Sequence, residues 1–103
     1  MDWFWTWGGS SFGYRAGDDL WTQDGEHVGY FKEDEVYGLD GYYLGEVRNT
    51  KRLITRLSKQ SWRSSPRAQK VSRAGRAVRA DYAGYAMYAG FEDFAEPEEL
   101  EDR

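Results

Sequence analysis

An apolar residue, a glycine and usually a tyrosine recur at a fixed interval of 16 residues: Phe12-Gly13-Tyr14, Val28-Gly29-Tyr30 and Leu44-Gly45-Glu46. Asp24-Gly25 and Asp40-Gly41 keep the same interval, as do Trp21, Tyr37 and Leu53. A further copy of the mark, Ala83-Gly84-Tyr85, comes later, displaced by an insertion. Fixed self-similarity implies copies of one small supersecondary unit, none able to bury its apolar face alone. The expectation is an all-β fold: four pseudo-repeated short β-hairpins around a pseudo-four-fold axis.

Within the units, Asp-Gly between β-rich runs signals tight hairpin turns, of type I′ if both central residues take positive φ. Polar clusters at Gly17-Asp18-Asp19, Lys32-Glu33-Asp34-Glu35 and Asn49-Thr50-Lys51 read as the turns at the opposite end. The runs between them are about five residues long, the usual length of strands: Phe12–Arg15, Leu20–Gln23, His27–Phe31, Val36–Leu39, Tyr42–Val47 and Arg52–Thr55. A glycine inside a strand weakens it, so its return in every unit marks a bulge, a bend or a close backbone approach.

The unit is interrupted once. Leu44 and Ala83 stand 39 residues apart where 16 is the rule, leaving about 23 inserted residues. The sequence predicts one domain over residues 1–94, with a basic, partly disordered insertion over 58–80 between the third and fourth units. An acidic disordered tail is expected over 95–103. Tyr82, Tyr85, Tyr88, Phe91 and Phe94 recur every three residues. That spacing makes no single helical stripe, and the expectation is a strand over Ala83–Tyr88 with a turn at Ala89-Gly90, and Trp3–Trp7 as the strand that closes the ring against it.

Charge follows the same division. Residues 1–47 carry ten acids against Arg15 and Lys32, residues 48–79 eleven Lys or Arg and no acid, and residues 80–103 eight acids against Arg103. The net charge of −4 conceals an acidic–basic–acidic order. Cysteine is absent, which excludes disulfides and thiolate metal sites. No segment resembles a signal peptide and no apolar run reaches the length of a membrane helix, so a cytoplasmic protein without membrane contact is expected.

Taken together, Trp7-Gly8-Gly9-x-x-Phe12-Gly13-Tyr14-Arg15, Gly25-x-x-Val28-Gly29, Asp34-Glu35-Val36-Tyr37, Gly41-x-Tyr43-Leu44-Gly45-Glu46, Arg52-Leu53-Ile54-Thr55 and Gly84-Tyr85-x-Met87-Tyr88-Ala89-Gly90-x-Glu92-Asp93-Phe94 resemble the four-fold β-flower domain family. The resemblance covers nearly the whole chain except the insertion and the acidic tail. It implies a small all-β domain with four petals about a pseudo-four-fold axis, and it brings no established activity.

Motifs for chemistry are weak. Gly9-Ser10-Ser11-Phe12-Gly13 matches the G-x-S-x-G pattern, but that elbow belongs to a strand-to-helix turn in a much larger scaffold. His27 is the sole histidine, so a metal site through it would need carboxylates such as Asp24 and Glu26 and lacks the usual nitrogen ligands. Glu46 takes the place held by tyrosine in the other units; facing inward, it requires a cation such as Arg15 or Arg48. No catalytic residue, metal or cofactor is assigned, and the expectation is a non-catalytic module.

The strongest functional signal is the basic stretch. Arg48, Arg52, Arg56, Arg63, Arg67, Arg73 and Arg76, with Trp62 among them to stack on a base, are the candidate anion-binding residues. They suit a nucleic acid or a phosphorylated small molecule. The rival readings are neutralisation of this stretch by the acidic segments, a purely structural homo-oligomer or protein-interaction domain, and last a small hydrolase using Ser11 or Glu46. An apolar face at Trp3, Trp5, Trp7, Tyr85 and Tyr88 is the expected oligomer contact.

Overall fold

The computed structural model describes residues 2–102. Seven short strands follow one another, each antiparallel to the next: β1 (Asp2–Thr6), β2 (Ser11–Ala16), β3 (Asp19–Thr22), β4 (His27–Lys32), β5 (Glu35–Gly38), β6 (Tyr43–Arg48) and β7 (Arg52–Arg56). Parallel pairing of Trp5 with Arg52 and Thr6 with Leu53 joins β1 to β7 and closes the sheet into a barrel. An eighth strand, β8 (Phe91–Asp93), pairs with the far half of β7, and one helix, α1 (Pro97–Glu101), follows it. The fold is all-β. Trp5 and Thr6 occupy the outer edge of the first half of β7 and β8 that of its second half, so the edge of β7 is covered along its length.

Three registers explain the recurring apolar–Gly pair. Phe4 faces Gly13 while Trp5 faces Ser11, Leu20 faces Gly29 while Trp21 faces His27, and Val36 faces Gly45 while Tyr37 faces Tyr43. Phe12, Val28 and Leu44 are each the residue skipped, the extra member of a β-bulge, the device that bends strands at the rim of a barrel. Phe12 and Val28 are core residues, and Leu44 packs against them. The glycine that follows sits against the next strand: a Cβ on Gly29 would lie 2.5 Å from the Tyr37 carbonyl oxygen. Gly13 and Gly45 meet the carbonyls of Trp21 and Ile54 in the same way.

The turns repeat as well. Gly9, Gly25 and Gly41 take φ of 102°, 91° and 90°. Around them the bonds Gly9 N–H to Thr6 O, Gly25 N–H to Thr22 O and Gly41 N–H to Gly38 O have lengths of 3.0, 3.0 and 2.9 Å. Asp24 and Asp40 do not take positive φ, so these are three-residue hairpin loops ending in a left-handed glycine, where type I′ turns were expected. At the other end Gly17, Glu33 and Asn49 stand 16 apart, with φ of 60°, 57° and 52°.

The remaining chain departs from the sequence expectations. Ala83–Tyr88 forms no strand, so the displaced Ala83-Gly84-Tyr85 lies outside the sheet. Residues 60–88 contain neither helix nor strand beyond the Tyr42–Arg63 bridge and are almost all exposed, yet spaced backbone hydrogen bonds fasten them to the barrel from Ser64 to Tyr85. The acidic tail also folds back: Leu100 is 5% exposed and joins the core together with Phe94, just before the tail, which is 3% exposed. The reason is apolar. Two large side chains plug the barrel end, at roughly 1.5–3 kcal/mol each, while Glu96 and Glu99 form a reciprocal cap at the start of α1.

Candidate anion-binding belt

From the end of β7 the chain runs backwards around the barrel and returns to β7. Backbone N–H groups at intervals of mostly three residues donate to it: Ser64 to Gly41 O (2.7 Å), Arg67 to Leu39 O (2.9 Å), Arg73 to Gly25 O (2.8 Å), Arg76 to Gln23 O (2.8 Å), Tyr82 to Gly9 O (2.8 Å) and Tyr85 to Trp7 O (3.1 Å). Lys70 N–H completes the series by donating to His27 Nδ1 at 2.9 Å. An extended chain with three residues per turn turns the same face inward at each third position, and here that face carries Arg67, Lys70, Arg73, Arg76 and Arg79 and then Tyr82 and Tyr85.

Each arginine of this belt lies over an aromatic ring of the barrel. Arg63 stands 4.4 Å from the Tyr42 ring centre, Arg67 3.8 Å from Tyr30, Arg73 4.1 Å from Trp21, Arg76 5.0 Å from Tyr14 and Arg79 4.2 Å from Trp3. The rings belong successively to the β5–β6 turn, β4, β3, β2 and β1, so the row tracks the circumference. Tyr14 and Tyr30 are the tyrosines of the 16-residue mark: the bulged residue fills the core, the glycine admits the neighbouring strand, and the tyrosine carries the belt.

All five arginines are exposed, and among the described residues none has a carboxylate within ion-pair distance. Stacking uses the face of a guanidinium and leaves its N–H edges for bidentate acceptors. Among the described residues, the internal neutralisation weighed from the sequence takes no ion-pair form at these five positions.

Other candidates divide. Arg52 is buried and committed: Nη1 donates to Trp7 O at 3.1 Å, Nη2 to Ala83 O at 2.9 Å, and its plane lies 4.2 Å from the Tyr85 ring centre. It fastens the belt and has no free edge of the kind the row offers. Arg56 reaches Glu46 at 3.4 Å, and Arg48 packs on Phe91. Trp62 is exposed with Lys59 above its ring, beside the row. Arg79 completes the row and was not singled out from sequence; the three-residue interval, followed back from Tyr82, is the signal that finds it.

The tryptophans expected at an oligomer contact are covered by the chain itself. Trp5 and Trp7 are buried, Trp5 stacked on Tyr82 at 3.9 Å and Trp7 packed between Tyr85 and Tyr88 at 4.8 and 5.2 Å. Their indole N–H groups donate to Ala80 O and Ala86 O at 2.9 and 3.0 Å. Trp3 is half-buried beneath Arg79.

Glu46 finds its cation in Lys59 (3.0 Å), which also holds Glu35 (2.7 Å), while Tyr43 donates its hydroxyl at 2.9 Å. Burial alone pushes the Glu46 carboxyl up, but the hydrogen bonds from Lys59 and Tyr43 outweigh it and hold the carboxyl below its ordinary range. Burial, and then the Glu35 carboxylate that accepts its hydrogen bond, push the Tyr37 hydroxyl up to about 12. Ser11 Oγ donates to Gln23 at 2.9 Å, and His27 is engaged by Lys70 and Asp19, so the two make no nucleophile–base pair.

No protein-family profile, curated protein or solved structure compared with the chain matches it. No helix among the described residues is long and apolar enough to cross a membrane.

Proposed function

We propose that the protein is a non-catalytic binding module that takes a nucleic acid or another phosphate-rich polyanion on the belt row Arg63, Arg67, Arg73, Arg76 and Arg79. The observation that carries this reading is the set of five exposed guanidiniums, each held on a ring and none ion-paired among the described residues. Keeping five like charges in a row is unfavourable for the protein alone, and a polyanion relieves it. Because the rings are already covered by guanidiniums, contacts fall on phosphates, and binding is tolerant of base sequence. Trp62 is the one exposed indole placed to stack on a base.

The bulges and turns that return every 16 residues also support reading the barrel as a variant of the β-flower pseudo-repeat, with the belt standing where a fourth unit would begin. A homo-oligomer through Trp3–Trp7 is the weaker reading, since the belt covers that face.

Native mass spectrometry of the protein as purified tests the proposal. Excess mass removed by nuclease or by high salt is the expected result. A clean protein mass, together with no binding of added oligonucleotide, would contradict it.

A further inference from the structure

The arginine row ends in a pocket. Between its last member and the β6–β7 turn, a cavity of about 330 Å³ opens over the outer face of β1. Trp3 and Trp5, two residues apart on one strand and so on one face, line it with Tyr82, and Arg79 and Lys51 bring its positive charge. The volume is that of a small-ligand site. Here the belt changes from arginine to tyrosine: Arg79 lies 4.2 Å from the Trp3 ring centre, and Tyr82 stacks on Trp5 at 3.9 Å.

Charge selects the occupant. Arg79 and Lys51 reach the cavity from different walls, one from the belt and one from the turn. Among the described residues neither has a carboxylate within ion-pair distance. The exposed Asp2 is the one acid in the lining, which therefore keeps a net positive charge. Two convergent cations suit a phosphomonoester, which carries close to two negative charges at neutral pH, better than an internal phosphodiester with one. Shape agrees. The open row takes the length of a strand, whereas a pocket at its end takes a terminus. The Trp3 and Tyr82 rings are already faced by Arg79 and Trp5, so a sugar and base find apolar contact there without a free stacking platform, and the phosphate dominates recognition.

We infer that this pocket binds the terminal phosphomonoester of a nucleotide, held between Lys51 and Arg79 with its sugar and base against Trp3 and Tyr82. The inference rests on the reading of the arginine row as a phosphate track and fixes where on that track a strand ends.

Fluorescence anisotropy at fixed low salt tests it, with one internally labelled single-stranded DNA oligonucleotide in 5′-phosphorylated, 3′-phosphorylated and hydroxyl-ended forms. A phosphorylated form should bind about tenfold more tightly than the hydroxyl-ended strand, the contribution of one further charged hydrogen-bonded pair. Whichever form gains identifies the strand end. Lys51→Gln should bring that ratio close to one and Asp2→Asn should raise it, whereas Lys32→Gln, at the exposed end of β4, should leave it unchanged. Equal affinity for all three strands, or an unchanged ratio in Lys51→Gln, would overturn the pocket and leave the row standing. Binding of 5′-AMP that Lys51→Gln abolishes, with no binding of any strand, would support the pocket and overturn the row. Binding of neither 5′-AMP nor any strand would overturn both.

Discussion

Arg56 and Phe91 are direct partners across β7 and β8, with the Arg56 guanidinium 4.9 Å from the Phe91 ring centre. The belt therefore leaves the barrel and returns to it at the same point, after a complete circuit. Leu57 N–H donating to Gly90 O at 2.9 Å closes the buckle one step further. An insertion whose ends already meet adds little to the entropy of ordering the barrel, since closure cost grows only slowly with loop length. The rings on each strand give it a track.

If the row contacts phosphates, its arginines act as separable charges. Arg73→Gln with Arg76→Gln should leave the circular dichroism spectrum unchanged and weaken oligonucleotide binding uniformly across sequences. The slope of log K against log salt should become shallower by about 1.4, the share of two phosphates on a single strand. Fluorescence anisotropy at several salt concentrations measures both.

Arg52 belongs to the fold. Its buried guanidinium ties the belt to the Trp7 and Ala83 carbonyls, and Arg52→Met should cost about 3 kcal/mol, the upper range for losing hydrogen bonds to a charged group at a buried site. Urea denaturation reads the loss. Polyanion binding by the fraction still folded should be unchanged.

His27 makes the belt sensitive to acid. Its Nδ1 accepts from Lys70 N–H, so a proton there removes the acceptor, and Nε2 lies 3.1 Å from Asp19, which also holds Lys70 Nζ at 2.5 Å. Burial is the largest influence and sets the folded His27 pKa below its ordinary 6.5, despite the opposing pull of Asp19. As pH falls the unfolded chain takes up the proton first. His27's contribution is thus complete above about pH 6.5 and is lost as pH drops toward the lowered folded value, by at most about 1.4 kcal/mol per pH unit. Urea midpoints from pH 8 to 5 should show this fall, and His27→Gln should remove it.

Lys59 bridges Glu46 and Glu35 where the tyrosine mark is broken. Lys59→Met leaves two half-shielded carboxylates facing each other and should destabilise by about 2–3 kcal/mol, below the figure for fully buried pairs because Glu35 retains some solvent. The same change in a Glu46→Gln background should cost markedly less. A double-mutant cycle in urea checks the difference.

Much of this was legible in the sequence. The 16-residue interval places the turns at Asp24-Gly25 and Asp40-Gly41 and those around Gly17, Glu33 and Asn49, though not the first turn at Trp7–Gly9, and the apolar–Gly–Tyr order maps onto bulge, close approach and belt support at Phe12-Gly13-Tyr14 and Val28-Gly29-Tyr30. Ring closure by the Trp3–Trp7 segment is legible but its partner is not: it pairs with β7 and not with Ala83–Tyr88, because the Trp5–Arg52 pairing is parallel and distant in sequence and leaves no local mark. The belt was obscured by composition. Read from Tyr82 to Phe94 alone, the three-residue interval suggests a strand; carried back through Arg79, Arg76, Arg73, Lys70 and Arg67 it describes an extended chain with one inward face. Arginine in that face looks like solvated charge until the rings beneath it are known. In the tail, Leu100 is a single apolar residue among acids, too slight a signal to outweigh them.

The most direct test of the central claim is the salt dependence of binding to a fluorescent single-stranded oligonucleotide. Five phosphate contacts predict a slope of log K against log salt of about −3.5. Arg63, Arg67, Arg73, Arg76 and Arg79 changed together to glutamine should abolish binding while the barrel stays folded. Absence of binding at low salt, or a slope near zero, would contradict the account.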